Sequence, residues 1–185
     1  MVLEQGDVQF FWRPMVQAAA ANTYTLGVQQ FFFVMSPAGR ELHRRLRVGK
    51  KRMPATSKER FWAKVERVGS MQRVLGDALE SESYATKTRG ERYQPGARPV
   101  AMGQYELVKG EHHVKLVYDV EPFDFVDAPD ELKMPEHGEH RVLWKRAPGG
   151  TSRAVWTPEG DIATLDEKGA QIVLIGPSQS ERADD

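Results

Sequence analysis

The stretch Thr56-Ser57-Lys58-Glu59-Arg60-Phe61-Trp62-Ala63-Lys64-Val65-Glu66-Arg67-Val68-Gly69 decides which fold class this sequence suggests. Thr56 and Glu59 have capping-box spacing: the threonine hydroxyl meets the Glu59 amide and the glutamate reaches back to the cap. Phe61, Val65 and Val68 then recur at i, i+4 and i+7, one apolar stripe at helical spacing. Arg60, Lys64 and Arg67 share a stripe beside it. Gly69 suits a left-handed C-cap, and Ser70 can cap a second short helix running to Leu79. The expectation is a helical block over about residues 56–80 that buries Phe61, Val65 and Val68 against a sheet.

Outward from this block the chain reads as strands. In Asp7–Arg13, Val8, Phe10 and Trp12 point one way and Gln9 and Arg13 the other, until Pro14 stops the run. Val28–Met35 is apolar on both faces of its second half, as in a strand covered on both sides. In Leu42–Val48, Leu46 and Val48 face inward and Arg45 and Arg47 outward. Ala101–Val108 and His112–Glu121 form a hairpin through Lys109-Gly110, and Val114, Leu116, Tyr118 and Val120 alternate against His113, Lys115, Val117 and Asp119. Arg141–Arg146, Ala154–Thr157 and Gln171–Gly176 complete the set. Strands in succession around one helical block predict an α+β fold: a single domain over residues 1–176, a mostly antiparallel sheet packed on that block. Residues 122–140, with Pro122, Pro129 and Pro135, read as an irregular acidic excursion, and residues 177–185 as a disordered tail.

Composition narrows function mainly by exclusion. The chain has 185 residues, 28% of them charged, and no cysteine, which excludes a disulfide scaffold, a thiolate metal site and cysteine catalysis. Phe31-Phe32-Phe33-Val34-Met35 is too short to cross a bilayer. Glu4 and Asp7 stand where a signal peptide carries positive charge, and no apolar h-region follows, so the expectation is a reducing, bacterial-type cytoplasm. The formal net charge is zero, yet residues 40–73 hold twelve Lys and Arg against three acids, and residues 119–185 hold fifteen acids against seven bases. Such asymmetry reads either as a surface for an anionic partner or as two halves that neutralise each other. Sixteen Arg against ten Lys, with one Asn and three Ile, also fits the codon bias of a GC-rich genome.

No phosphate-binding glycine loop, nucleophile elbow or zincin motif is present. His137-Gly138-Glu139-His140 sets two imidazoles three apart among carboxylates, but in a proline-rich loop with no evident groups to hold the rings in place, so neither a metal nor another cofactor is predicted. His112-His113 reads as hairpin surface. The unusual segment is Lys87-Thr88-Arg89-Gly90-Glu91-Arg92-Tyr93-Gln94-Pro95-Gly96-Ala97-Arg98-Pro99, whose guanidiniums suit phosphate or carboxylate and whose Tyr93, with Tyr84, suits stacking.

GDVQFFWRP, ERFWAKVERV, YATKTRGERYQPGARP and GAQIVLIG resemble segments of a group of bacterial hypothetical proteins. The likeness covers most of the chain outside residues 124–168. It implies that the Arg-rich loop is a feature of the group, and it implies no activity, catalytic residue or cofactor. The expected function is a small cytoplasmic binding or accessory protein with no membrane association. Arg45, Arg47, Lys50, Lys51, Arg52, Arg89, Arg92 and Arg98 would bind an anionic partner, nucleic acid or an acidic protein, with Tyr84 and Tyr93 stacking. One alternative is an enzyme that clamps a phosphorylated or carboxylated small molecule with Arg89, Arg92 and Arg98, with Lys87, Glu91 or Tyr93 near the chemistry. Another is a self-associating structural protein whose oppositely charged halves pair between copies.

Overall fold

The structure, a computed structural model, describes residues 1–15, 17–18, 27–88, 90–123, 129–132, 134–146 and 155–178. Its strands are β1 (Val2–Pro14), β2 (Gln17–Ala18), β3 (Val28–Pro37), β4 (His43–Val48), β5 (Arg60–Gly69), β6 (Glu82–Thr86), β7 (Gly90–Gln94), β8 (Arg98–Lys109), β9 (Val114–Pro122), β10 (His137–Arg146), β11 (Val155–Thr157) and β12 (Gln171–Ile175), with one short helix, α1 (Met71–Leu75). Eight strands close into an antiparallel barrel in the order β1-β8-β9-β10-β12-β5-β4-β3 and back to β1. β11 joins β10 at Trp144–Arg146, and β2, β7 and β6 make a separate three-stranded sheet.

The α+β expectation is therefore wrong, and its deciding stretch shows why. Phe61, Ala63 and Val65 are buried in the barrel, while Arg60 and Trp62 are exposed and Lys64 is half-buried on the outer face. That is the period of two of a strand. Opposite β4 the register jumps from Leu46↔Val65 to Arg45↔Arg67. The extra residue, Glu66, is a bulge, and it turns Val68 back towards the core. A strand with one bulge thus reproduces the i, i+4, i+7 spacing of a helix. The capping-box pair instead makes a turn: the Glu59 amide donates to the Thr56 carbonyl at 3.0 Å, and the Glu59 carboxylate accepts the Ala55 N–H at 2.8 Å. The predicted second helix exists in shorter form, with the Ser70 hydroxyl accepting the Arg73 amide.

The lumen is filled with side chains. Val8, Phe10 and Trp12 meet Phe31, Phe33 and Met35 of β3 and Leu46 and Val48 of β4. Phe10 lies 5.4 Å from Phe33 and 5.0 Å from Tyr118, centroid to centroid. Leu165, on the 3-10 turn before β12, packs into the core at one end of the barrel, and Met53 and Leu132 at the other. Outside, α1 lays Val74 and Leu75 on Phe11, Phe32 and Val34. This covering explains the doubly apolar run in β3. Apolar side chains fill most of the lumen, with Arg44 buried at its mouth, and most charged side chains stand outside. Among the described residues no helix is long and apolar enough to cross a membrane.

Two segments are more regular than the sequence suggests. His137–His140 belong to β10 and complete the barrel by pairing with β9, so the irregular part of the acidic excursion ends before them. The Arg-rich segment is a hairpin, β6–β7, with Tyr84 opposite Arg92. Residues 179–185 of the expected tail lie outside the described residues.

Candidate anion-binding face

The fate of each cation in the basic segment follows from the barrel's inside–outside alternation. Arg45 points outward but lies beneath α1: it pairs with Glu66 at 3.1 Å and Asp77 at 3.2 Å, and donates to the Val74 carbonyl at 2.9 Å. Its guanidinium carbon sits 5.4 Å from the Phe32 ring centroid. Arg52 grips Glu59 with both ends of its guanidinium and covers the Phe61 ring. Arg52 is the main reason that the Glu59 carboxyl is held down to about 2. Arg98 stacks over Trp12 at 5.7 Å. Each of these three arginines is engaged by neighbouring groups of the fold. Arg92 lies half-buried on the β6–β7 hairpin, Tyr84 is 44% exposed beside it, and Tyr93 is half-buried in β7. Arg89 lies outside the described residues.

The remaining predicted cations converge with residues to which a helix would give no common face with them. Arg47 and Lys64 are cross-strand neighbours on the outer face of β4 and β5. Arg60, Trp62 and Lys64 follow one another at alternate positions of β5, about 7 Å apart at the rise of a strand. Lys50 and Lys51 stand exposed on the turn beyond β4, Lys51 donating to the Gln29 carbonyl at 2.6 Å. In the middle lies Trp62, 43% exposed. A side chain at Gly49 would meet the Trp62 ring at 2.2 Å, so the indole lies against bare backbone there. The Arg47 guanidinium carbon is 6.0 Å from the ring centroid. A depression of about 250 Å³ is bounded by Trp62, Arg47, Lys50, Lys51, Gln29 and Gln30.

The carboxylates that meet the basic segment include Glu66 and Asp77 from its own neighbourhood and Asp166 from the acidic stretch 119–185. Glu66 pairs with Arg47 at 3.2 Å, and Asp77 with Arg67 at 2.7 Å. Asp166 pairs with Arg40 at 3.0 Å. Arg44, fully buried at the mouth of the barrel, pairs with Glu4 at 2.6 Å and Asp166 at 2.7 Å, and Tyr105 donates to the same Glu4 at 2.6 Å. Burial works against the charge on Arg44, but the bonds to Glu4 and Asp166 outweigh it and raise its pKa. After this neutralisation, Lys50, Arg60 and Lys64 have no carboxylate within ion-pair distance among the described residues.

Other chemistry-bearing groups form no comparable site. His137 and His140 lie on opposite faces of β10 and cannot share an ion, and no group of three metal-ligating side chains occurs among the described residues. His137 stands outside, 2.8 Å from Asp119, and that bond is the main cause of its raised pKa. His140 is buried, its Nε2 2.9 Å from the Tyr118 hydroxyl. Burial pushes its pKa down to about 4. Its Nδ1 meets no group in hydrogen-bond geometry among the described residues. Ser36 Oγ lies 2.7 Å from His43 Nδ1 in a groove of about 560 Å³. A nucleophile of this type needs its histidine oriented by a third group, and among the described residues no carboxylate bonds His43. No known protein family matches this sequence, and no curated protein or solved structure is similar to it.

Proposed function

We propose that this chain is a small β-barrel binding protein that takes an anionic partner on the outer face of β4 and β5. One observation carries the reading: a half-exposed Trp62 lies amid Arg47, Lys50, Lys51, Arg60 and Lys64, and Glu66 is the carboxylate that shares their face. Lys50, Arg60 and Lys64, without ion pairs among the described residues, keep their field in solution, and the β4 and β5 strands fix the spacing of Arg47, Arg60 and Lys64. Of the residues expected from sequence, Arg47, Lys50 and Lys51 belong to this face, whereas Arg45, Arg52 and Arg98 serve the fold. An enzymatic clamp built on Arg89, Arg92 and Arg98 draws no support from an Arg98 committed to Trp12.

The test is elution from immobilised heparin on a salt gradient. The parent should bind at low salt and elute with rising salt, because the attraction is electrostatic and screened. Lys50→Glu/Lys51→Glu/Lys64→Glu should elute at clearly lower salt with an unchanged melting curve. If parent and triple variant elute together, the face is not an anion site.

A further inference from the structure

We infer that the partner of this face is single-stranded nucleic acid, with an unpaired base stacked on Trp62; the inference rests on the anion-binding reading above. The face offers more than charge. A protein that met only phosphates or carboxylates would need cations alone, yet here the largest exposed side chain on β5 is an indole held flat on Gly49. An aromatic plate among cations suits a base, because every base has a π-face and the stacking is tolerant of sequence. Within a duplex the base faces are stacked on one another and out of reach, so a plate on a convex barrel wall selects the unpaired strand.

The geometry around the plate fits one nucleotide and its neighbours. Arg60 and Lys64 flank Trp62 along β5, each about 7 Å away, placing a cation on either side for the phosphates that precede and follow the stacked base. Across the strands Arg47 stands on one side and Lys50 and Lys51 close the turn end. The depression beside the indole holds about 250 Å³. That is below the roughly 300–1,000 Å³ of a pocket for a drug-sized molecule, and it suits a single ring system. The Gln30 amide on its rim can donate to or accept from a base edge. A neighbouring cation–π contact, Arg47 on Trp62, adds a guanidinium plane that can stack with the same base.

The experiment measures tryptophan-fluorescence quenching and anisotropy with four probes at 50 and 200 mM salt. These are a labelled 12-residue oligothymidylate, a 12-bp duplex, inorganic polyphosphate of matching charge and a poly-glutamate peptide. The expected result is tightest binding of oligothymidylate, with quenching. Trp62→Ala should lose roughly 5- to 100-fold in affinity for it, Trp62→Phe should retain most of it, and neither should alter polyphosphate binding. Gly49→Val, which displaces the indole without removing it, should reproduce the loss. Should Trp62→Ala fail to fold, Trp62→Phe and Gly49→Val carry the comparison alone. Equal affinity for polyphosphate and oligothymidylate, with no effect at position 62 or 49, overturns the single-strand inference and leaves the anion face standing. Preference for the duplex or for poly-glutamate also overturns it and assigns the face to that partner. No binding of any probe removes both readings.

Discussion

Replacing His140 by Gln should change how the stability of the barrel depends on pH. His140 is 3% exposed and its pKa stands at about 4 in the fold against an ordinary 6.5. Between those values the unfolded chain binds a proton that the folded chain refuses, so unfolding gains free energy as the solution is acidified. The contribution of a neutral His140 is complete above about pH 6.5 and is lost as pH falls from there through about 4. A gap of about 2.5 pH units is worth about 3 kcal/mol in all, and about 2 kcal/mol of it is lost by pH 5, at about 1.4 kcal/mol per unit. Glutamine does not titrate, and its terminal amide can reach the Tyr118 hydroxyl that Nε2 now meets. Urea unfolding followed by tryptophan fluorescence at pH 7.5, 6.5 and 5.0 gives the stabilities. The parent should lose about 2 kcal/mol more than His140→Gln between the first pH and the last. Exposed His137 works in the opposite sense, since its pKa is raised: its contribution is present below 6.5 and fades as pH rises. It acts equally in both proteins and cancels in the comparison. Parallel pH profiles for parent and variant would refute a buried, neutral His140.

Arg44→Met should cost about 3–5 kcal/mol, because it strands a Glu4 carboxylate that is 9% exposed. Arg44→Met/Glu4→Gln should recover at least half of that loss in the same urea assay; a double variant as weak as the single one would mean that the ion pair itself stabilises. Val65→Asp should unfold the barrel, since an unpaired carboxylate at a 1% exposed position costs several kcal/mol against a total of roughly 5–15. A Val65→Asp protein that melts like the parent would mean that β5 faces the other way. Glu59→Gln should weaken the parent's loss of stability as pH falls from 4.5 towards 2, the window set by its lowered pKa, and acid-titrated circular dichroism should show it. Gly138→Ala should lower the melting temperature, because the added carbon would fall 2.2 Å from the Tyr118 ring.

Much of the barrel is legible in the amino-acid sequence. β1, β3, β8, β9 and β12 announce themselves by alternation or by short apolar runs, and the inward sets read for β1 and β9 match the buried ones. β5 is the exception, because Phe61, Val65 and Val68 satisfy a helix as well as a bulged strand, and the small Ala63 between them is too weakly apolar to break the tie. Arg44 is within reach of the sequence: the alternation that puts Leu46 and Val48 inside also puts Arg44 inside. A buried arginine contradicts the usual preference for exposure, and only its partners from β1 and from the turn before β12 make it tolerable. The face around Trp62 is half legible. Lys50, Lys51 and Arg47 stand out by charge, while Trp62, Arg60 and Lys64 join them only once β5 is a strand.

The features that the chain specifies locally are which residues alternate, where glycine and proline interrupt, and how charge is distributed along its length. Each of these depends on neighbours within a few positions, where backbone geometry fixes which side chains share a face. Which strands close the barrel, and which carboxylate meets which cation, is settled by tertiary contact instead. Glu4 reaches Arg44 across 40 positions and Asp166 reaches it across 122, and β9 meets β10 to seal the cylinder. Those pairings are set by strand order and register, which distant segments establish jointly when they bury one shared core. The charges left on β4 and β5 are what remains once those pairs have formed, so a basic segment becomes a basic surface only where the fold brings no acid to it.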